Sequence, residues 1–131
     1  MMREILFRGK SEYNGEWIFG SLHIERGETD RNGKTNIDYR ILGMRGECDY
    51  VISETVGQFT GLTDKNDKRI FEGDIVRSFS SGKEHIGVVN WNKLFSSWHI
   101  GEYATLYGSE NFSDNEVIGN IHDNPEVLEA D

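Results

Sequence analysis

The chain is broken by turn-forming residues so often that no long helix can form in it. Fifteen glycines and many Asn, Asp and Ser residues, with one proline, Pro125, divide the apolar residues into short groups. No apolar pattern of 3.6-residue period persists for the roughly 12 residues that would mark a helix. Short apolar runs bounded by turn formers are the pattern of an all-β chain, because each run makes one strand and each polar break reverses the backbone. The predicted strands are Glu4–Arg8, Glu16–His23, Asp38–Leu42, Asp49–Ser53, Gly57–Gly61, Arg69–Phe71, Asp74–Phe79, His85–Trp91, Ser97–Ile100, Ala104–Tyr107 and Val117–Ile121. Their spacing of about 8–12 residues suits a barrel or sandwich of antiparallel strands. A minor helix is expected only in the tail, where Asn124 would cap a single turn with Pro125 in its first position and Glu126 in its first turn.

Two of the polar breaks read as hairpin tips. Asp64-Lys65-Asn66-Asp67-Lys68 separates two apolar groups, and Asn and Asp tolerate the left-handed backbone of a tight reversal. Asp30-Arg31-Asn32-Gly33-Lys34 contains Asn-Gly, a strong hairpin signal, inside a polar stretch from Glu25 to Asn36 that reads as an exposed, mobile excursion. A third break, Gly73-Asp74, leads into a strand, with Gly73 supplying the turn and Asp74 capping backbone donors. This is the arrangement of a small SH3-like barrel. There Ile75 would face inward with Val89 and Trp91, which lie two apart and so share one side of their strand.

At 131 residues the chain is long enough for one domain with a real core. We expect a single domain over 1–131, with an N-terminal β part at about 1–55 and a barrel-like part at about 56–124. No apolar run approaches the roughly 18 residues of a membrane helix, and the start lacks the apolar stretch of a signal peptide, so a cytoplasmic location is expected. The lone Cys48 has no internal disulfide partner, and its acidic neighbours Glu47 and Asp49 would raise its thiol pKa, so it is expected to be buried or inert.

The net charge of −9 is unevenly placed. Lys93 is the last basic residue, and residues 94–131 carry eight acidic residues with no Lys or Arg. Nonspecific binding to nucleic acid depends on neutralising phosphates, so such a chain is repelled unless it hides a local basic face. An acidic segment is either a solvated face or a surface for a basic partner.

Motifs for chemistry are missing. His23, His85, His99 and His122 are scattered rather than set at the spacing of a zinc site. Gly82-Lys83 resembles the end of a phosphate-binding loop, but Arg77 stands where the first Gly belongs and Glu84 where Ser or Thr is needed. Asp64-Lys65-Asn66-Asp67 resembles the opening of a calcium loop, but Lys68, Arg69 and Ile75 occupy positions that require a ligand, a Gly and a Glu. No nucleophile elbow is present. We therefore expect no catalytic residue, cofactor or metal. The aromatics Trp17, Trp91, Trp98, Phe95, Tyr103 and Tyr107 are either core or, near loops, anchors for a partner.

The order of several segments carries a likeness to a known family. Met2-Arg3-Glu4-Ile5-Leu6-Phe7-Arg8-Gly9-Lys10, Gly15-Glu16-Trp17-Ile18-Phe19-Gly20, Glu54-Thr55-Val56-Gly57-Gln58-Phe59-Thr60-Gly61-Leu62-Thr63-Asp64-Lys65-Asn66, Ile70-Phe71-Glu72-Gly73-Asp74-Ile75-Val76, and Val117-Ile118-Gly119-Asn120-Ile121 with Asn124-Pro125-Glu126 resemble the YopX family of phage and prophage proteins. Two departures are visible: Asn66-Asp67 stands where the family tip usually reads Asn-Gly, and Ser53 where a Pro is common. The resemblance implies a phage-encoded, largely β protein of the bacterial cytoplasm with self-association. It implies no activity, since the family is one of unknown function, and the motif residues read as fold determinants.

The expected function is a non-enzymatic accessory protein that binds a host or phage protein through Trp91, Trp98, Tyr103, Glu110, Asp114 and Glu116. The alternative is a nucleic-acid-binding β-barrel in which Lys68, Arg69, Arg77 and Lys83 share one face. An enzyme would need His85, His99 and a carboxylate to converge in space.

Overall fold

The computed structural model describes residues 4–102, 104–111 and 113–129. Eleven strands account for nearly all its regular structure: β1 Phe7–Lys10, β2 Trp17–Thr29, β3 Thr35–Gly43, β4 Cys48–Tyr50, β5 Gly57–Thr63, β6 Arg69–Phe71, β7 Asp74–Ser80, β8 Lys83–Asn92, β9 Ser97–Ile100, β10 Ala104–Thr105 and β11 Glu116–Asn120. Every pairing between them is antiparallel. The helical content is three short 3-10 turns, Ser53–Thr55, Ser109–Asn111 and Pro125–Leu128. Pro125 starts the last of these, but Asn124 does not cap it forward. Its Oδ1 instead accepts the N–H of Asn120 at 3.2 Å, tying the turn back to β11. The strands form two compact units, residues 1–58 and 59–131.

In the first unit the order is β4-β3-β2-β1, and β1 also pairs with Gly57 and Gln58 of β5. Its core is Ile18, Ile41 and Val51, with Phe7, Leu22, Tyr39 and Val56 packed against them. Gly20 is required where β2 passes β3, because a Cβ there would lie 1.9 Å from the Leu42 carbonyl oxygen. Thr55 closes the unit: its Oγ1 accepts the Lys10 N–H at 2.8 Å and donates to the Ile52 carbonyl at 2.6 Å.

The Glu25–Asn36 stretch is not an irregular excursion but the outer half of the β2–β3 hairpin. The ladder runs from Gly20↔Gly43 to Arg26↔Ile37 and resumes at Thr29↔Thr35. The expected strands stop at His23 and resume at Asp38 because the stretch between them holds the charged Glu25, Arg26 and Glu28. A ribbon wet on both faces accepts such residues, since none has to enter a core. The exposure was read correctly: Ile24 is 56% and Ile37 49% exposed.

In the second unit β5 pairs with β6, and a five-stranded sheet follows in the order β10-β9-β8-β7-β11. Ile70, Val76, Val89, Ile100 and Leu106 are its core, with Leu62, Trp98 and Val117 packed against them. The Gly73-Asp74 turn behaves as its sequence suggests. Gly73 sits at φ +91°, a left-handed conformation that favours glycine, and Asp74 Oδ2 accepts the Phe71 N–H at 2.7 Å in a buried setting. Of the expected barrel, the described strands show this open order, with β10 and β11 at its two ends. Val89 is in the core as expected, whereas Ile75, though fully buried, lies opposite Val88 and so on the other face of the sheet, and Val76 takes the place expected for it beside Val89; Trp91 is 46% exposed. Its side of the strand was read correctly, but β8 runs on past the core.

Candidate partner-binding surface

The far end of the β8–β9 hairpin carries an apolar cluster. Trp91 lies opposite Trp98 in the ladder, and the rings meet edge-on with centroids 5.2 Å apart. The next pair, Asn92 and Ser97, leads into a reversal in which Asn92 Oδ1 accepts the Phe95 N–H at 3.1 Å and Ser96 takes φ +49°. That reversal leaves Leu94 83% and Phe95 67% exposed. Phe95 in turn stacks on His99, which is buried and hydrogen-bonded through Nε2 to Ser97 Oγ at 3.0 Å.

At the other end of β8 lies an open groove of about 1080 Å³. Phe79, Ile86, Ile100 and Tyr107 give it an apolar lining; Glu84, Glu102 and Asp114 line it with carboxylates, and no Lys or Arg does. None of the three carboxylates has an ion-pair partner among the described residues. Glu116 differs sharply. Arg77 approaches it to 2.7 Å and Lys65 to 3.1 Å. Hydrogen bonds from Lys65 and Arg77 hold its carboxyl below the usual carboxylate range.

The structure therefore divides the residues predicted to bind a partner. Trp91 is exposed, Trp98 packs against the core, Asp114 lines the groove, and Glu116 is held by cations of its own chain. Tyr103 and the side chain of Glu110 lie outside the described residues. The groove's Glu84, Glu102, Phe79 and Ile86 were missed, because single charged and apolar residues near a turn carry no signal until the strands are paired.

The groups needed by the alternative readings are placed as follows. His85 lies opposite Ser78 and His99 opposite Asn90, so five residues of β8, about 17 Å of strand, separate the two positions. Among the described residues no group of three or more His, Cys, Asp or Glu is placed to hold a metal ion. Of the four cations proposed for a nucleic-acid face, Arg77 is paired with Glu116 and Arg69 lies over the Phe59 ring at 5.8 Å. Cys48 is exposed, which removes burial from the expectation that it is buried or inert. No helix among the described residues is long and apolar enough to cross a membrane.

The motif residues have a different role. Thr55, Thr60, Asp64, Asp74 and Asn124 each hydrogen-bond to backbone groups through their side chains. These contacts define a small antiparallel β protein in which the polar motif residues clamp turns and strand ends. The chain belongs to the YopX family: the family model described as "YopX protein" matches residues 6–129. It is also similar to a solved structure, protein EF1440 from Enterococcus faecalis, with 23% identity and a TM-score of 0.56 over 97% of this chain and 99% of that one. At that identity the likeness shows the fold. No curated protein matches the chain in sequence.

Proposed function

We propose that the protein is a non-enzymatic binding module, a phage- or prophage-encoded accessory protein acting in the bacterial cytoplasm by docking onto another protein. The observation that carries this reading is the apolar cluster at the β8–β9 turn, where Trp91, Leu94 and Phe95 stand exposed together. Large aromatic and aliphatic side chains left in water are the usual anchors of protein interfaces, because their burial supplies much of the binding energy. Nucleic acid is the weaker partner class: the second unit carries 6 Lys or Arg against 13 Asp or Glu, and Arg77 is already neutralised.

The test is a tagged pull-down from lysogenic host lysate, with and without nuclease, comparing the native chain with a Trp91→Ala/Phe95→Ala variant. A stoichiometric protein that survives nuclease and is lost with the double variant is the expected result. Retention by the variant, or loss of everything on nuclease treatment, would overturn the proposal. Trp98 is left intact because it packs against the core.

A further inference from the structure

We propose that the groove along β8 and β10 receives an extended peptide in which Lys or Arg alternate with apolar residues, laid beside the free edge of β10. The inference rests on the reading of the protein as a protein binder, but it concerns a surface separate from the β8–β9 turn. Three features of the groove specify the occupant.

The first is charge. Elsewhere in the same unit a carboxylate near cations has paired with them, as Glu116 has with Lys65 and Arg77. Glu84, Glu102 and Asp114 line one groove, have no ion-pair partner among the described residues, and have no Lys or Arg beside them in the lining. Three carboxylates along one groove with no Lys or Arg in its lining favour an incoming cation, and the same field rejects a polyanion.

The second is the apolar lining. Phe79 is 49%, Ile86 41% and Tyr107 57% exposed, so the groove offers hydrophobic area as well as charge. An extended segment with a period of two presents apolar side chains to one face and cationic ones to the other.

The third is the backbone. Among the described residues β10 ends the sheet and pairs with β9 alone. Leu106 donates its N–H to the Trp98 carbonyl at 3.0 Å. Strand alternation therefore turns the N–H and C=O of Thr105, one residue earlier, away from β9. Ala104 and Thr105 both line the groove and are exposed. An edge of this kind takes up an extended peptide through main-chain hydrogen bonds, while side chains supply the selectivity.

The experiment is fluorescence anisotropy on the full chain, using a labelled probe of about nine residues that alternates Lys and Val, with Glu–Val and Lys–Ser alternations as comparators. The Lys–Val probe should bind at least about tenfold more tightly than either comparator, and more weakly as salt rises. The triple variant E84Q/E102Q/D114N should weaken it about tenfold or more, whereas D67N/E126Q/E129Q, which removes the same charge from residues of this unit outside the groove's lining, should weaken it less than about threefold. Methylating alternate probe amides should also weaken it, because the edge bonds are lost. Equal effects of the two triple variants would reduce the attraction to net charge and overturn the proposal; so would absence of binding, or Glu–Val binding as well as Lys–Val. Trp91→Ala/Phe95→Ala should leave the probe's affinity unchanged, so failure here is distinguishable from failure of the turn as an anchor.

Discussion

The tips of the β2–β3 and β5–β6 hairpins are built by the same local chemistry and serve different ends. In each, an Asp at the start accepts two backbone N–H groups through Oδ1: Asp30 from Asn32 at 2.8 Å and Lys34 at 2.9 Å, Asp64 from Asn66 and Lys68, both at 2.9 Å. In each, the Asp N–H reaches the carbonyl of the Lys four residues on at 2.8 Å, and the fourth residue is left-handed, Gly33 at φ +80° and Asp67 at φ +65°. The first tip stands in solvent on a ribbon. The second is docked on residues 115–117: Lys65 N–H donates to the Asn115 carbonyl at 2.9 Å, the Lys65 amine pairs with Glu116, and Asp64 Oδ2 accepts the Val117 N–H at 2.9 Å. Asp64 is 1% exposed, whereas Asp30 is exposed. One turn sequence is thus sufficient for a reversal, and only its surroundings make it a tertiary clamp.

The largest effect expected from this difference is on removing each aspartate. Asp64→Ala should destabilise the protein by about 3 kcal/mol, because it empties the place of a buried carboxylate and leaves the N–H groups it collects, including that of the half-buried Val117, without their acceptor. Asp30→Ala, whose freed donors turn to water, should cost about 0.5 kcal/mol. Denaturant unfolding of both variants at neutral pH measures the contrast, and equal losses would dissolve it.

Exchanging the fourth residues should give smaller effects of opposite sign. Gly33→Asp places a side chain in the left-handed region and should cost about 1 kcal/mol, while Asp67→Gly relieves the same strain and should gain about 0.5 kcal/mol. Thermal unfolding of the two single variants reads the sign directly; a loss at both positions would show that Asp67 makes contacts outweighing its backbone strain.

The smallest effect belongs to the exposed pairs at the docked tip. The Glu116 carboxyl is held below its ordinary range in the folded protein. Its contribution is therefore fully present above the unfolded carboxylate pKa and is lost as pH falls through the folded value. The stability difference between the native chain and Glu116→Gln should accordingly shrink in acid, modestly because solvent screens the pairs. A difference that stays constant from neutral pH into acid would show that Lys65 and Arg77 do not stabilise the ionised form.

Much of this architecture was legible in the residues. Arg69–Phe71 and Ser97–Ile100 are strands to the residue, and Gly73-Asp74 is the turn its composition implies. These features depend on neighbours within a few positions: a branched or aromatic run, a residue able to take positive φ, an acceptor beside free donors. The candidate site was less legible. Asp114 and Glu116 are two residues apart and identical as sequence signals for an acidic partner surface. Folding gives Glu116 two cations and leaves Asp114 in a groove with Glu84 and Glu102, from distant parts of the chain.

The sequence by itself determined the all-β character, the position of most reversals and the excess of acid after Lys93, because each follows from local backbone preference or simple composition. Tertiary structure decided how far β2 and β3 extend, that Trp91 outruns the core while Val89 does not, and that Asp64 gains a third bond from a strand 53 residues away. Those outcomes depend on which groups meet across the fold and which are left to water, and burial and pairing exist only once the strands are assembled.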